Sequence, residues 1–86
     1  MFKIELTPAA HRQWRKLPRD ASQTIADAFT GEFANNPLSR TLDTRKLHVP
    51  FPGYRLRVAD YRILFVIGKG IVTVYSIKHR KEAYKG

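Results

Sequence analysis

Two alternating segments joined by two residues restrict this chain more than any other feature. Tyr54-Arg55-Leu56-Arg57-Val58 alternates apolar and basic side chains, Ala59 and Asp60 follow, and Tyr61-Arg62-Ile63-Leu64-Phe65-Val66-Ile67 runs on as a strand. A two-residue turn at Ala59-Asp60 sets Val58 opposite Tyr61 and Arg57 opposite Arg62. Side chains alternate faces with a period of two, so Arg55, Arg57 and Arg62 share one face. Tyr54, Leu56, Val58, Tyr61, Ile63, Phe65 and Ile67 share the other, which is the natural core face. Like charges directly opposite one another are unfavourable on a sheet, so an anion is expected near Arg57 and Arg62.

A third strand, Ile71-Val72-Thr73-Val74-Tyr75-Ser76-Ile77, follows Gly68-Lys69-Gly70. A three-residue turn there puts Ile67 opposite Ile71 and Arg62 opposite Ser76, with Lys78 and Arg80 continuing the arginine face. A two-residue turn swaps the faces and puts His79 in the place of Arg80. The first register is preferred because it sets Ile71, Tyr75 and Ile77 with the core residues. It also leaves Leu64, Val66, Val72 and Val74 as apolar surface on the arginine face, the mark of an interaction site.

Upstream, Phe2-Lys3-Ile4-Glu5-Leu6 reads as a strand. Thr7 is a good N-cap and Pro8 a good first helical residue, predicting a helix from Pro8 to Leu17 with Ala10, Trp14 and Leu17 on one side. Pro18 breaks it. A second helix is expected from Arg19 or Asp20, with Gln23 placed for a capping-box-like pair with Asp20 and with Ile25, Ala28, Phe29 and Phe33 as its apolar stripe, ending at Asn35-Asn36-Pro37. Between residues 38 and 53, Leu42, Leu47 and Val49 can pin a loop and a short strand piece, while Pro50 and Pro52 argue against a long one. The expected fold is α+β: an antiparallel sheet in the order β-α-α-β-β-β, with a helical hairpin packed on one face and the arginine face open.

Eighty-six residues with 43% hydrophobic content suit one domain, 1–86, with a modest core. There is no cysteine, hence no disulfide or thiolate site, and no His/Asp/Glu cluster with metal-ligand spacing. No metal and no cofactor are expected. No membrane-spanning run or signal-peptide pattern is read, and a cytoplasmic location is expected. The formal charge of +9 favours a polyanionic partner. It is concentrated: residues 54–86 hold eight Lys/Arg against two acids, residues 1–53 eight against five.

Three arginines on one face make a phosphate cradle, since guanidinium forks onto phosphate oxygens and stays charged; the plainer reading is a solvated basic face. Lys78, His79, Arg80, Lys81 and Tyr84 follow beside it. His79 can move a proton near neutrality and Tyr84 can stack on a base or orient a hydroxyl; the plainer reading is a basic C-terminal turn. Arg45 and Lys46 complete the candidate phosphate contacts. His11 and His48 are read as structural or exposed, and Trp14, Phe29 and Phe33 as core.

The run Tyr54-Arg55-Leu56-Arg57-Val58-Ala59-Asp60-Tyr61-Arg62, followed by His79-Arg80-Lys81-Glu82-Ala83-Tyr84, resembles the RelE/ParE toxin superfamily, RelE-like branch. The order of elements and the early pattern Ala9-Ala10 to Trp14-Arg15-Lys16-Leu17 agree with it. The resemblance implies a toxin of a type II toxin–antitoxin system that cleaves mRNA in the A site of the 70S ribosome without a metal. The substrate's 2′-hydroxyl would attack the phosphate, leaving a 2′,3′-cyclic phosphate and a 5′-hydroxyl. It implies a cognate acidic antitoxin in a hetero-oligomeric complex. Arg55 and Arg57 match the paired basic positions of the first central strand. Arg62 matches the arginine on the scissile phosphate, Arg80 the second such arginine, and Tyr84 the C-terminal tyrosine.

The best-known RelE toxins carry lysines at the paired positions. Arginine is a poor general base, which makes His79 the better candidate for proton transfer. A further C-terminal helix seen in some relatives is not expected here. The alternatives are a ParE-like inhibitor of DNA gyrase without RNase activity and a small, non-toxic nucleic-acid-binding module. An RNase needs the arginine face, His79 and Tyr84 to converge; a gyrase inhibitor does not.

Overall fold

A computed structural model describes residues 1–48 and 50–83. Strand β1 (Lys3–Leu6) leads into helix α1 (Pro8–Arg15), helix α2 (Arg19–Thr30) and the short helix α3 (Glu32–Asn35). Strands β2 (Thr44–Lys46), β3 (Tyr54–Val58), β4 (Tyr61–Gly68) and β5 (Ile71–His79) follow, and then the four-residue helix α4 (Arg80–Ala83). The sheet order is β1-β5-β4-β3-β2. It is mostly antiparallel, as expected, but β1 joins its edge parallel to β5, with Ile4 opposite Val72 and Leu6 opposite Val74.

Local chemistry explains the helices. Thr7 Oγ1 accepts from the Ala10 N–H at 3.2 Å, and Pro8 opens α1. The N–H groups of Lys16 and Leu17 close back on Gln13 and Trp14, both at 3.1 Å, before Pro18 stops the helix. The expected capping box on α2 does not form. Asp20 accepts from the next residue's N–H, and Gln23 donates instead to Asp27 at 2.9 Å, one turn further on. The second helix is also interrupted before Asn35: Gly31 leaves the helical region (φ −98°, ψ −134°), and α3 restarts beyond it. That break turns Phe33 and Ala34 into the core.

The helices cover one face of the sheet. Ala10, Ile25, Phe33, Leu56, Ile63, Phe65, Val72, Val74 and Ile77 form a buried cluster, with Trp14, Leu17, Phe29, Tyr54, Val58, Tyr61 and Ile67 packed against it. A chain of rings crosses between the layers. Trp14, Phe29 and Phe33 stack in succession, and Phe33 meets Phe65 edge-on at 5.0 Å. Edge-to-face pairs of this kind contribute about 0.5–1.5 kcal/mol beyond their burial. Val58 lies opposite Tyr61 and Arg57 opposite Arg62, so the Ala59-Asp60 turn is as predicted. Ala59 pays for it with a left-handed backbone (φ 52°), a strain of about 1–2 kcal/mol.

The third strand corrects the expected register. The turn is the two-residue Lys69-Gly70, with Gly70 at φ 78°, and Ile67 faces Val72 rather than Ile71. Val72 and Val74 therefore enter the core, while Ile71 is 36% exposed and Tyr75 stays outside the core cluster. The two-residue register does not persist, however. Phe65 faces Val74 and Leu64 faces Ser76, which leaves Tyr75 as one extra residue in β5. Beyond this bulge Arg62 faces Lys78, not Ser76, and Tyr61 faces His79.

Three polar ties fix β5 and the entry to β3. The Ile77 N–H lies beyond the end of β1 and is satisfied by Gln13 Oε1 at 2.6 Å. The Tyr75 hydroxyl donates to the Pro52 carbonyl at 2.7 Å. Gly53, at φ 86°, lets β3 enter beneath β4, and its carbonyl accepts from Leu47 at 2.9 Å. Among the described residues no helix is long and apolar enough to cross a bilayer.

Two stability predictions follow from these ties. A Cβ on Gly53 would land on the Phe65 carbonyl oxygen and press on Val66. Gly53→Ala should cost roughly 2–5 kcal/mol, from left-handed strain plus overpacking, read by urea denaturation; a loss below 1 kcal/mol would show that β3 has room to shift. Burial raises the Tyr75 hydroxyl above its ordinary pKa of 10.0. The native state thus keeps the proton after the unfolded chain has lost it, so this contribution is complete below that ordinary value and is lost as pH rises through the native one. Tyr75→Phe should cost about 0.5–1.5 kcal/mol near neutrality, and the gap from the parent should shrink above about pH 10.

Candidate nucleic-acid interface

The sheet face turned away from the helices carries two cross-strand rows. Register places Arg45, Arg55, Leu64 and Ser76 in one and Arg57, Arg62 and Lys78 in the next. Cross-strand neighbours point to the same side of a sheet with Cβ atoms about 4.5–5.5 Å apart. Five cations therefore converge: Arg45, Arg55, Arg57, Arg62 and Lys78. Arg62 is half-buried in the middle of its row, between Arg57 and Lys78. Its position is fixed by Ile63 and Tyr61, which face the core on either side.

One carboxylate of the chain itself meets two of these arginines, Arg55 and Arg57. Asp43 precedes β2, and its carbonyl accepts from the Arg57 N–H at 2.9 Å. One carboxylate oxygen lies 3.4 Å from the Arg55 guanidinium and the other 3.8 Å from that of Arg57. The Arg55 side chain is only 12% exposed, so its charge is held low in the face and pre-aimed. Asp43 is hard to foresee from residue order alone, because the two prolines after β2 obscure how that strand aligns with β3.

His79 does not join this set. It lies opposite Tyr61, on the helix side of the sheet, and its ring meets the Tyr61 ring edge-on at 5.3 Å. Its Nδ1 accepts from the Lys81 N–H at 3.2 Å, which in a neutral imidazole leaves the proton on Nε2. Clefts lined by Gln13, Pro18, Asp20, Tyr61 and His79 open on that side. The expected convergence of His79 with Arg62 is thus corrected by strand parity: consecutive residues Lys78 and His79 point to opposite faces.

Arg80 begins α4 instead of continuing the strand. Its N–H donates to the Asp60 carbonyl at 2.7 Å, and its guanidinium lies 3.8 Å from the Asp60 carboxylate. Both side chains are more than half exposed, so that pair is weak and easily exchanged for another anion. Lys81 is exposed on α4. Lys46 faces the same side as Tyr54, opposite to Arg45, so it lies at the sheet edge but off the basic face. Tyr84 falls outside the described residues. His11 and His48 are exposed. Among the described residues no group of three or more His, Asp or Glu gathers as a metal site.

Chemically, this face can hold a phosphate and neutralise charge on it through several forked donors. The imidazole of His79 points to the other face, so the arrangement favours clamping over acid–base work by that residue.

The fold has close counterparts. The RelBE2 toxin–antitoxin complex from Mycobacterium tuberculosis superposes with a TM-score of 0.79 at 24% identity, over 92% of this chain and 98% of that one. The RelB–RelE complex from Methanococcus jannaschii gives 0.74 at 22%, over 94% and 95%. The isolated E. coli RelE toxin gives 0.73 at 21%, over 99% and 97%. No curated protein matches the chain. Residues 4–84, nearly the whole sequence, match the family described as the ParE toxin of type II toxin–antitoxin systems, parDE. The chain belongs to that family and is a type II toxin of the RelE/ParE superfamily.

Proposed function

We propose that this toxin is a metal-independent, ribosome-dependent endoribonuclease that cuts mRNA in the A site from the cytoplasm, using its whole length as one RelE-like domain. The observation that carries this reading is the row Arg57–Arg62–Lys78 beside Arg55 and Arg45, a cation cluster open to a polyanion. Arg62 is assigned to the scissile phosphate. Arg55, Arg57, Lys78 and Arg45 are assigned to the flanking backbone, with Lys81 and Lys46 as peripheral contacts. Arg80 is assigned to a second phosphate contact and Tyr84, outside the described residues, to the substrate base or hydroxyl. His79, turned to the helix side, enters the chemistry only if the substrate wraps around the end of β5. Positioning and charge neutralisation then supply most of the rate, and the ribosome shapes the RNA for in-line attack.

A second reading is favoured by one specific observation. Arg62 and His79 lie on opposite faces, and a toxin acting on DNA gyrase needs no convergence between them. Primer extension on a defined mRNA, with and without ribosomes, separates the two. Ribosome-dependent 5′ ends inside the reading frame support the nuclease. Intact transcripts accompanied by DNA breaks in the cell support the gyrase inhibitor.

Under the nuclease reading, Arg62→Ala removes a charge-assisted bond contributing about 1.5–3 kcal/mol, which is a loss of about 10- to 150-fold. The loss should fall on the single-turnover cleavage rate on programmed ribosomes, while ribosome binding persists on the remaining charge. Cleavage at the parental rate would refute the assignment of the cradle. His79→Ala should leave the cleavage rate within a few-fold of the parent, and a loss as large as that of Arg62→Ala would return the imidazole to the chemistry.

The proposed partner is an acidic antitoxin. Of the four apolar residues expected on the arginine face, Leu64 and Val66 keep that side, but Val72 and Val74 are core. An open apolar groove of about 450 Å³ lies between β1, α1 and α2, lined by Phe2, Ile4, Leu6, Trp14 and Phe29. Acidic side chains of the same partner suit the basic face. The product of the neighbouring reading frame should co-purify with the toxin and suppress its toxicity. Recovery of a stable, non-toxic lone monomer from the intact operon would count against this.

A further inference from the structure

The basic face contains one acid in direct contact with two of its arginines. Asp43 spans Arg55 and Arg57 with one carboxylate oxygen on each, at 3.4 and 3.8 Å. This is how two oxygens of a phosphate would be held. The main chain at Asp43 is anchored independently, through its carbonyl to the Arg57 N–H at 2.9 Å. The carboxylate is nonetheless 48% exposed, so it can swing out without disturbing the strand. The Arg57–Asp43 pair, about half exposed on both sides at 3.8 Å, holds weakly, and the more deeply buried Arg55 keeps its contact at 3.4 Å, whereas a phosphodiester can make shorter, forked bonds to both guanidinium groups.

We propose that Asp43 is a resident surrogate for an RNA phosphate: it keeps Arg55 and Arg57 aimed at one point and gives up that point when the substrate backbone arrives. The proposal rests on the reading of this face as a phosphate site. It has a directional consequence. A competing charge inside the site weakens RNA binding, so removing it strengthens binding. A carboxylate that merely propped the arginines in place would do the opposite.

The test is the affinity of a fluorescent single-stranded RNA for the purified toxin, measured by anisotropy across a salt series. Asp43→Asn keeps the shape and removes the charge. It should tighten Kd by about three- to ten-fold at low salt and steepen the dependence of log K on log salt by about 0.7, one more phosphate neutralised on a single strand. Asp43→Glu, which keeps the charge, should stay near the parent. Asp27→Asn, an exposed acid on α2 hydrogen-bonded by Gln23, controls for net charge and should change Kd by less than two-fold. On programmed ribosomes, Asp43→Asn should lower KM with little change in kcat.

Tightening no greater than that of Asp27→Asn, or weaker binding, overturns the proposal. Arg55→Ala and Arg57→Ala separate the two levels of inference. If neither weakens binding, the phosphate site itself is wrong and the surrogate falls with it. If both weaken binding and Asp43→Asn does not strengthen it, the surrogate alone is overturned.

Discussion

One extra residue in β5 decides which side chains serve the core and which serve the open face. The tight Lys69-Gly70 turn imposes a register in which Val72 and Val74 face the helices. Continued without interruption, that register would turn Lys78 inward and leave Ile77 on the open face. The bulge at Tyr75 shifts the pairing by one, so that Ile77 is buried at 3% exposure and Lys78 stands beside Arg62. Strand parity allows no other local solution, since a shift by one residue flips every later side chain. The fold depends on this irregularity to satisfy both layers at once, and the Tyr75–Pro52 hydrogen bond secures it at its exposed side.

The two faces are coupled through the same strands. Phe65 and Ile63 lie under Phe33 and the helices, while Arg62 and Leu64, alternating with them, face out. Burial on one side therefore holds the cations rigidly on the other. Arg57 and Arg62 are forced together by a register that the core sets, and the Arg57 charge is partly offset by Asp43 at 3.8 Å. A like-charged pair is thus maintained at the surface by apolar packing beneath it, as expected of a binding site supported by a rigid scaffold.

The parts of this arrangement that the sequence made legible are those governed by period. The alternation in β3 and β4 gave the core set and the Arg57–Arg62 pairing, and Thr7-Pro8 and Pro18 marked the ends of α1. The unreadable parts depend on non-local contacts. Whether Lys69-Gly70 or all of Gly68-Lys69-Gly70 made the turn depended on the bulge, which no residue type announces. Asp20 and Gln23 had capping-box spacing, but Asp27 one turn on offered Gln23 another partner. Gly31 does not announce a break, because Phe29 and Phe33 keep a helical spacing across it. Lys46 and His79 were grouped with neighbours of like chemistry, although adjacent strand residues face opposite ways.

That last point bears on how such a site could work. A general base contributes about 10²–10⁴-fold where it is placed in reach of the proton, and His79 is turned away from Arg62 and tied to the Lys81 N–H. Arginines cannot replace it as bases near neutrality, because their charge persists. What they can do is lower the energy of a pentacoordinate phosphorus by holding its oxygens, an effect that grows as water is excluded. Half-burial of Arg55 and Arg62 supplies only part of that exclusion, for the sheet face is open on its far side. A large nucleoprotein surface closing over the face would supply the remainder. Under the proposed nuclease function, dependence on a ribosome is what such an open face would call for: the toxin would contribute one wall of a cradle, and the partner that presents the RNA would contribute the other.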